Sequence, residues 1–177
     1  MTMTRRRIQR SVRGAALVLA LLCGLAAAAA ADTDTERRTL AGLAGVHLDI
    51  APVDATLERA GLGDAGLRAE IETRLGAAGV VLLDVETARR TAGLPWLWLT
   101  TSAVKSANQN VYAWTTRLVL RQRVCLERSP QVCDSFTTWE TSRFGSVGTR
   151  YLKNVREDVL ALVDEFAAAW RAAHATR

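Results

Sequence analysis

Between Val111 and Phe144 the chain alternates apolar and polar residues almost without a break, and Cys125 and Cys133 flank the single turn-forming stretch within it. In VYAWTTRLVLRQRVC, Leu118, Leu120, Val124 and Leu126 fall on one side, and Arg117, Arg121, Arg123 and Cys125 on the other. This is the period-2 pattern of a half-buried strand. Beyond an Arg-Ser-Pro turn, Val132 and Phe136 share one face, and Cys133, Ser135 and Thr137 the opposite one. Setting Cys125 across from Cys133 brings Leu126 against Val132 and makes the two apolar faces coincide, as a hairpin with one buried side requires. A structural disulfide on the solvent side is therefore expected, stabilising the fold by roughly 2–3 kcal/mol. Continued along CDSFTTWETSRF, the same count puts Trp139 on the outer face with Cys125 and the arginines. Zinc would need about four ligands, and beyond these cysteines the chain offers only His47 and His174, far apart in sequence. Redox chemistry would want C-x-x-C spacing, which this pair lacks.

A disulfide implies an oxidising compartment, and the amino terminus points the same way. MTMTRRRIQRSVRG carries Arg5, Arg6, Arg7, Arg10 and Arg13 and no acidic residue, and AALVLALLCGLAAAAAA follows. A basic head, an apolar stretch and a small-residue end read as a cleavable signal peptide over 1–31, with Ala29-Ala30-Ala31 before the cut. The competing reading is a retained anchor, but the apolar stretch barely reaches the ~20 residues a span requires. Leu22 before Cys23 does not suit lipoprotein processing. The expected location is the periplasm, by the Sec route, with twin-arginine export through TRRRIQR as the alternative.

Removing the leader changes the electrostatics. The full chain is formally +5, but five of its 23 basic residues lie in the leader and all 18 acidic residues lie beyond Ala31, which leaves 18 against 18. A neutral domain lacks the overall attraction for phosphate backbones, so no nucleic-acid partner is expected. Removing 31 of 177 residues leaves about 146, enough for one domain with a real core.

Residues 32–44 read as a polar amino-terminal segment and 45–177 as a single α+β domain. GVHLDIAPVD makes a first strand with Val46, Leu48 and Ile50 alternating against His47 and Asp49. GDAGLRAEIETRLGAAG makes a helix capped by Asp64, striped by Leu67, Ile71 and Leu75, and closed by Gly79. VVLLD reads as a second strand, parallel to the first. VETARRTAG reads as a short helix, PWLWLTTSAVKS as the third strand, and the hairpin supplies two more. From Thr149, Leu152, Val155, Val159, Leu162, Phe166 and Trp170 draw one helical stripe. The expected architecture is a five-stranded mixed sheet, β-α-β-β-β-β with a short helix before the third strand, and two main helices packed on one face.

No phosphate loop, nucleophile elbow or H-E-x-x-H motif occurs, so neither a cofactor nor a metal site is expected. His47 and Asp49 share a strand face and could orient a general base, but nothing in the sequence supplies a nucleophile. A hydrolase using them is the catalytic alternative to a non-enzymatic chain. The tryptophans are more informative. Trp114 and Trp170 sit on core-facing stripes. Trp96 and Trp98 share the strand face opposite Leu97 and Leu99, so a sheet covered by helices on one side leaves one pair exposed or covered by something else. The candidate partner- or ligand-binding residues are Trp96, Trp98, Arg117, Arg121, Arg123 and Trp139.

The runs LGAAGVVLLD, WLWLTTSAVKSANQNVYAWTTRLVLRQRVCLERS and YLKNVREDVLALVDEFAAAWRAAH resemble, in element order and apolar pattern, small periplasmic α+β accessory proteins of Gram-negative bacteria. The amino-terminal domain of TolB and the accessory lipoproteins of polysaccharide secretion are similar in outline. The resemblance implies a binding or assembly role and transfers no functional residue. The expectation is a periplasmic accessory module of a cell-envelope assembly or transport system, with an envelope protein as partner. A carrier of a small apolar or lipid ligand, held between the sheet and a covering helix around Trp96 and Trp98, is the alternative. No membrane span is expected after cleavage, and an oligomer is compatible with the sequence.

Overall fold

The computed structural model describes residues 33–63 and 65–175. The expected signal peptide over 1–31 and the expected helix cap at Asp64 lie outside the described residues. In chain order the elements are α1 (Asp34–Arg38), β1 (His47–Ile50), α2 (Ala55–Arg59), α3 (Ala65–Ala77), α4 (Val85–Arg90), β2 (Trp96–Lys105), β3 (Val111–Leu126), β4 (Ser129–Gly148), a 3₁₀ segment (Thr149–Asn154) and α5 (Val155–His174). The strands form one mixed sheet in the order β1-β2-β3-β4, with β1 parallel to β2 and the other pairs antiparallel.

The sheet thus has four strands where the sequence led us to expect five. VVLLD contributes only an isolated parallel bridge, Val46 to Leu82. It is held by Val46 N–H to the Val81 carbonyl and Leu83 N–H to the Val46 carbonyl, both 2.9 Å. Gly45 permits that approach, since a Cβ there would sit 2.5 Å from the Val81 oxygen. The segment has no room to lengthen. On one side Gly79 (φ 79°) ends α3 with Val80 N–H reaching back to the Leu75 carbonyl. On the other, the Asp84 carboxylate already accepts Thr87 N–H and opens α4. The parallel neighbour of β1 is therefore β2, reached only after α2, α3 and α4.

The helices number five among the described residues, of which α3 (13 residues) and α5 (20 residues) are long. The polar segment 32–44 contains α1, started by a reciprocal capping box between Thr33 and Glu36. Asp54 starts α2 by accepting the N–H groups of Thr56 and Leu57.

The core fills one side of the sheet. Leu97 and Leu99 of β2, and Leu118 and Leu120 of β3, are fully buried with Leu67, Ile71 and Leu75 of α3 and Val159, Leu162 and Phe166 of α5. Arg74 of α3 bridges Glu70 (3.0 Å) and Asp164 of α5 (2.6 Å), and Arg156 of α5 reaches Glu70 (3.2 Å) and the Gly61 carbonyl (2.7 Å). These partly exposed ion pairs orient the two helices more than they hold them.

Two irregularities reshape the β3–β4 hairpin. Leu120 faces Trp139 but Arg121 faces Thr137, so Thr138 is an extra residue on β4. Such a bulge reverses the in/out alternation on either side of it. Trp139, expected on the outer face beside the arginines, consequently points inward and is buried, edge-on to Phe166. Gln122 holds the bulge, its Nε2 donating to Thr138 Oγ1 (2.7 Å) and to the Thr39 carbonyl (3.1 Å). Near the tip, Cys125 does face Cys133, but Leu126 pairs with Ser129 rather than Val132. The chain reverses at Glu127-Arg128, ahead of the expected Arg-Ser-Pro turn. Because β2 begins at Trp96, opposite Arg121, the hairpin beyond that pair is a two-stranded ribbon. Val124, Val132 and Phe136 on it stay exposed.

Candidate functional site

Among the described residues no helix covers the second face of the sheet, and its side chains follow from strand parity. Leu97 and Leu99 turn inward, so Trp96 and Trp98 turn outward, where they are half-buried. His47 and Asp49 on β1 stand beside them in register, and Arg121 and Val119 on β3 stand on the other side. The outward row of β3 continues through Arg117 and Arg123 to Cys125, whose sulfur is bonded to Cys133 at 1.98 Å. The staple thus lies on the outer face, as its parity requires.

These residues border an open groove of about 680 Å³, lined by Asp49, Arg89, Leu94, Trp96, Trp98, Arg121, Arg123, Cys133, Asp134 and Ser135. A second hollow of about 340 Å³ shares Trp98 and Arg121 with it and adds Thr100, Arg117, Val119 and Thr137. Together they make a trench over β2 and β3. Of the six residues singled out from the sequence for binding, Trp96, Trp98, Arg117, Arg121 and Arg123 come together here, and Trp139 is in the core. Arg89, Leu94, Asp134 and Ser135 were not anticipated. Arg89 arrives from α4. Leu94 is set by the Gly93-Leu94-Pro95 turn.

The groove is built around Trp96. Its indole Nε1 donates to Asp49 Oδ2 (3.5 Å), and the His47 ring lies against it with centroids 4.3 Å apart. His47 Nδ1 is 2.9 Å from the Leu83 carbonyl, an oxygen that only accepts, so Nδ1 carries the proton there. His47 and Asp49 therefore serve two different partners instead of each other. Among the described residues, no three His, Cys, Asp or Glu side chains are grouped to hold a metal ion.

The groove's arginines differ in what they touch. Arg117 is paired with Glu140, and Arg89 with Glu86 at 3.4 Å. Arg121 donates only to the Ser135 carbonyl (3.1 Å), and neither it nor Arg123 has a carboxylate within ion-pair distance among the described residues. Leu94 adds backbone strain, as the only residue other than glycine with positive φ (47°) among those described. Leucine rarely adopts that conformation, which collects at functional sites. The Gly93 carbonyl accepts Arg123 N–H at 2.6 Å, tying this turn to β3.

Among the described residues no helix is long and apolar enough to cross a membrane. Comparison with protein-family models, with curated proteins and with solved structures finds no match to this chain. The groove's residues thus rest on their own geometry.

Proposed function

We propose that this chain is an exported, non-enzymatic binding module serving a cell-envelope assembly or transport system in the periplasm, and that it holds a protein partner on the outer face of its sheet. One observation carries the reading: Trp96, Trp98, Arg121 and Arg123 meet in one open groove, on a face that no helix among the described residues covers. Tryptophan and arginine are the side chains that most often anchor protein interfaces, since each combines a large apolar surface with a fixed polar group. The disulfide supports an oxidising location. Docking is favoured over carriage of a ligand between sheet and helix, because Leu97, Leu99, Leu118, Leu120, Trp139 and Phe166 fill that space. A catalytic role for His47 and Asp49 gains no support from their separate partners.

Site-specific photo-crosslinking in the producing cell tests the proposal. A crosslinking residue at Thr100, on the trench, is expected to capture one discrete envelope protein. The same residue at Arg171, exposed on α5, is expected to capture none. No adduct at Thr100, or the same adducts at both positions, would overturn the reading.

A further inference from the structure

We infer that the trench takes an extended, acidic segment of the partner, with two carboxylate side chains two positions apart seated on Arg121 and Arg123 and an apolar side chain lodged against Trp98. The inference rests on the docking reading above and names the chemistry of what docks.

Shape comes first. The two hollows share Trp98 and Arg121, so the depression follows the strands instead of closing into a pit. Such a trench suits a length of extended chain. Spacing comes next. Arg121 and Arg123 are alternate residues on the outward row of β3, which sets their Cα atoms about 6.5–7 Å apart. An extended peptide repeats its same-side positions at that distance, so carboxylates at alternate positions fall into step with the two guanidinium groups.

Charge decides the sign. Among the described residues Arg121 and Arg123 lack a carboxylate partner, so their two positive charges stand open at the trench. A guanidinium presents a planar fork that a carboxylate matches with two parallel bonds. Asp49 and Asp134 at the two margins limit how much negative charge the trench accepts. A few carboxylates at fixed places fit that limit better than a dense array of phosphates on a nucleic acid or an anionic membrane. Leu94 supplies the apolar wall, held in its strained conformation at the groove.

The test is fluorescence anisotropy with the oxidised protein and a labelled peptide that alternates glutamate with threonine around one central leucine. Saturable binding is expected, weakening steeply as salt rises. The same peptide with lysine for glutamate should not bind. Arg121→Glu with Arg123→Glu should weaken binding about a hundredfold, while Arg150→Glu, outside the trench, should leave it unchanged. Three outcomes overturn the inference: no binding of the glutamate peptide, equal binding of the lysine peptide, or binding indifferent to the double reversal. Vesicles containing phosphatidylglycerol that bind where the peptide does not would also overturn it, in favour of a membrane surface. If the peptide fails while Thr100 still crosslinks to one envelope protein, only the acidic segment is wrong. If Thr100 crosslinks to nothing, the docking reading fails as well.

Discussion

Trp139 of β4 stands edge-on to Phe166 of α5, ring centroids 5.0 Å apart and planes inclined by 74°. The contact joins the last strand to the long helix at the centre of the core, and it exists because one extra residue, Thr138, turns the indole inward. Edge-to-face packing adds to the apolar area buried by both rings.

Trp139→Ala is therefore expected to lower unfolding free energy by about 3–5 kcal/mol. Trp98→Ala, on the open face, should cost less than about 1 kcal/mol. Urea unfolding of the two variants measures the difference, and equal losses would contradict the burial of Trp139.

Gln122 holds the bulge and the residue after α1 with one amide, and its side chain is buried. Gln122→Ala leaves the Thr39 carbonyl and Thr138 hydroxyl short of a partner. A loss of about 1–3 kcal/mol is expected, together with faster amide exchange through 34–40.

Reducing the Cys125–Cys133 bridge should lower stability by roughly 2–3 kcal/mol without unfolding the core. The bridge spans eight residues of a ribbon whose inner face is exposed. Near-ultraviolet circular dichroism in reductant should keep its tryptophan signal.

Asp54 and Asp84 are held below the usual aspartate pKa chiefly by backbone N–H bonds, from Leu57 and from Thr87. The Arg74 side chain does the same for Glu70. Carboxyls more acidic in the folded chain than in the unfolded one stabilise the fold where they are ionised. That contribution is complete above the unfolded values of about 3.9–4.3 and is lost as pH falls through the lower folded values. Thermal melts should be flat from about pH 5 to 7 and decline below about pH 4. Asp54→Asn with Asp84→Asn, which keeps capping groups but removes two titrations, should make that decline shallower.

Leu94→Gly releases left-handed strain of about 1 kcal/mol and gives back about 0.5–1 kcal/mol through glycine's freer unfolded chain. Stability should change by less than about 0.5 kcal/mol, while binding of the acidic peptide weakens several-fold with its apolar wall gone. A variant that unfolds would show that Leu94 is needed for the fold instead of the groove.

Much of this was legible because period-2 and period-3.6 patterns report burial directly. The face carrying Arg117, Arg121, Arg123 and Cys125, the inward Leu97 and Leu99, and the stripe of α5 all follow from counting. Counting fails where a residue is inserted. TTW reads as unbroken alternation, and only the pairing of Leu120 with Trp139 and Arg121 with Thr137 shows that Thr138 is extra, which turns Trp139 to the face opposite the one that counting gives. VVLLD has the composition of a strand, but Asp84 commits the chain to α4 before a second bridge can form. The Thr33–Glu36 capping box was a readable signal for α1 that the surrounding polarity masked. The groove's outer wall was not readable, because α4 and the turn at Leu94 reach it through tertiary placement alone.

The hairpin and the parallel pair differ in how far the chain must travel to close them. β3 and β4 meet across a two-residue turn, whereas His47 must find Trp96 from 49 positions away. Loops that long close late. Pulse-labelled exchange should accordingly protect β3 and β4 before β1. A molecule caught midway would then present its arginines on a finished ribbon while the histidine and aspartate that seat Trp96 are still absent, so recognition is completed only by the last step of folding.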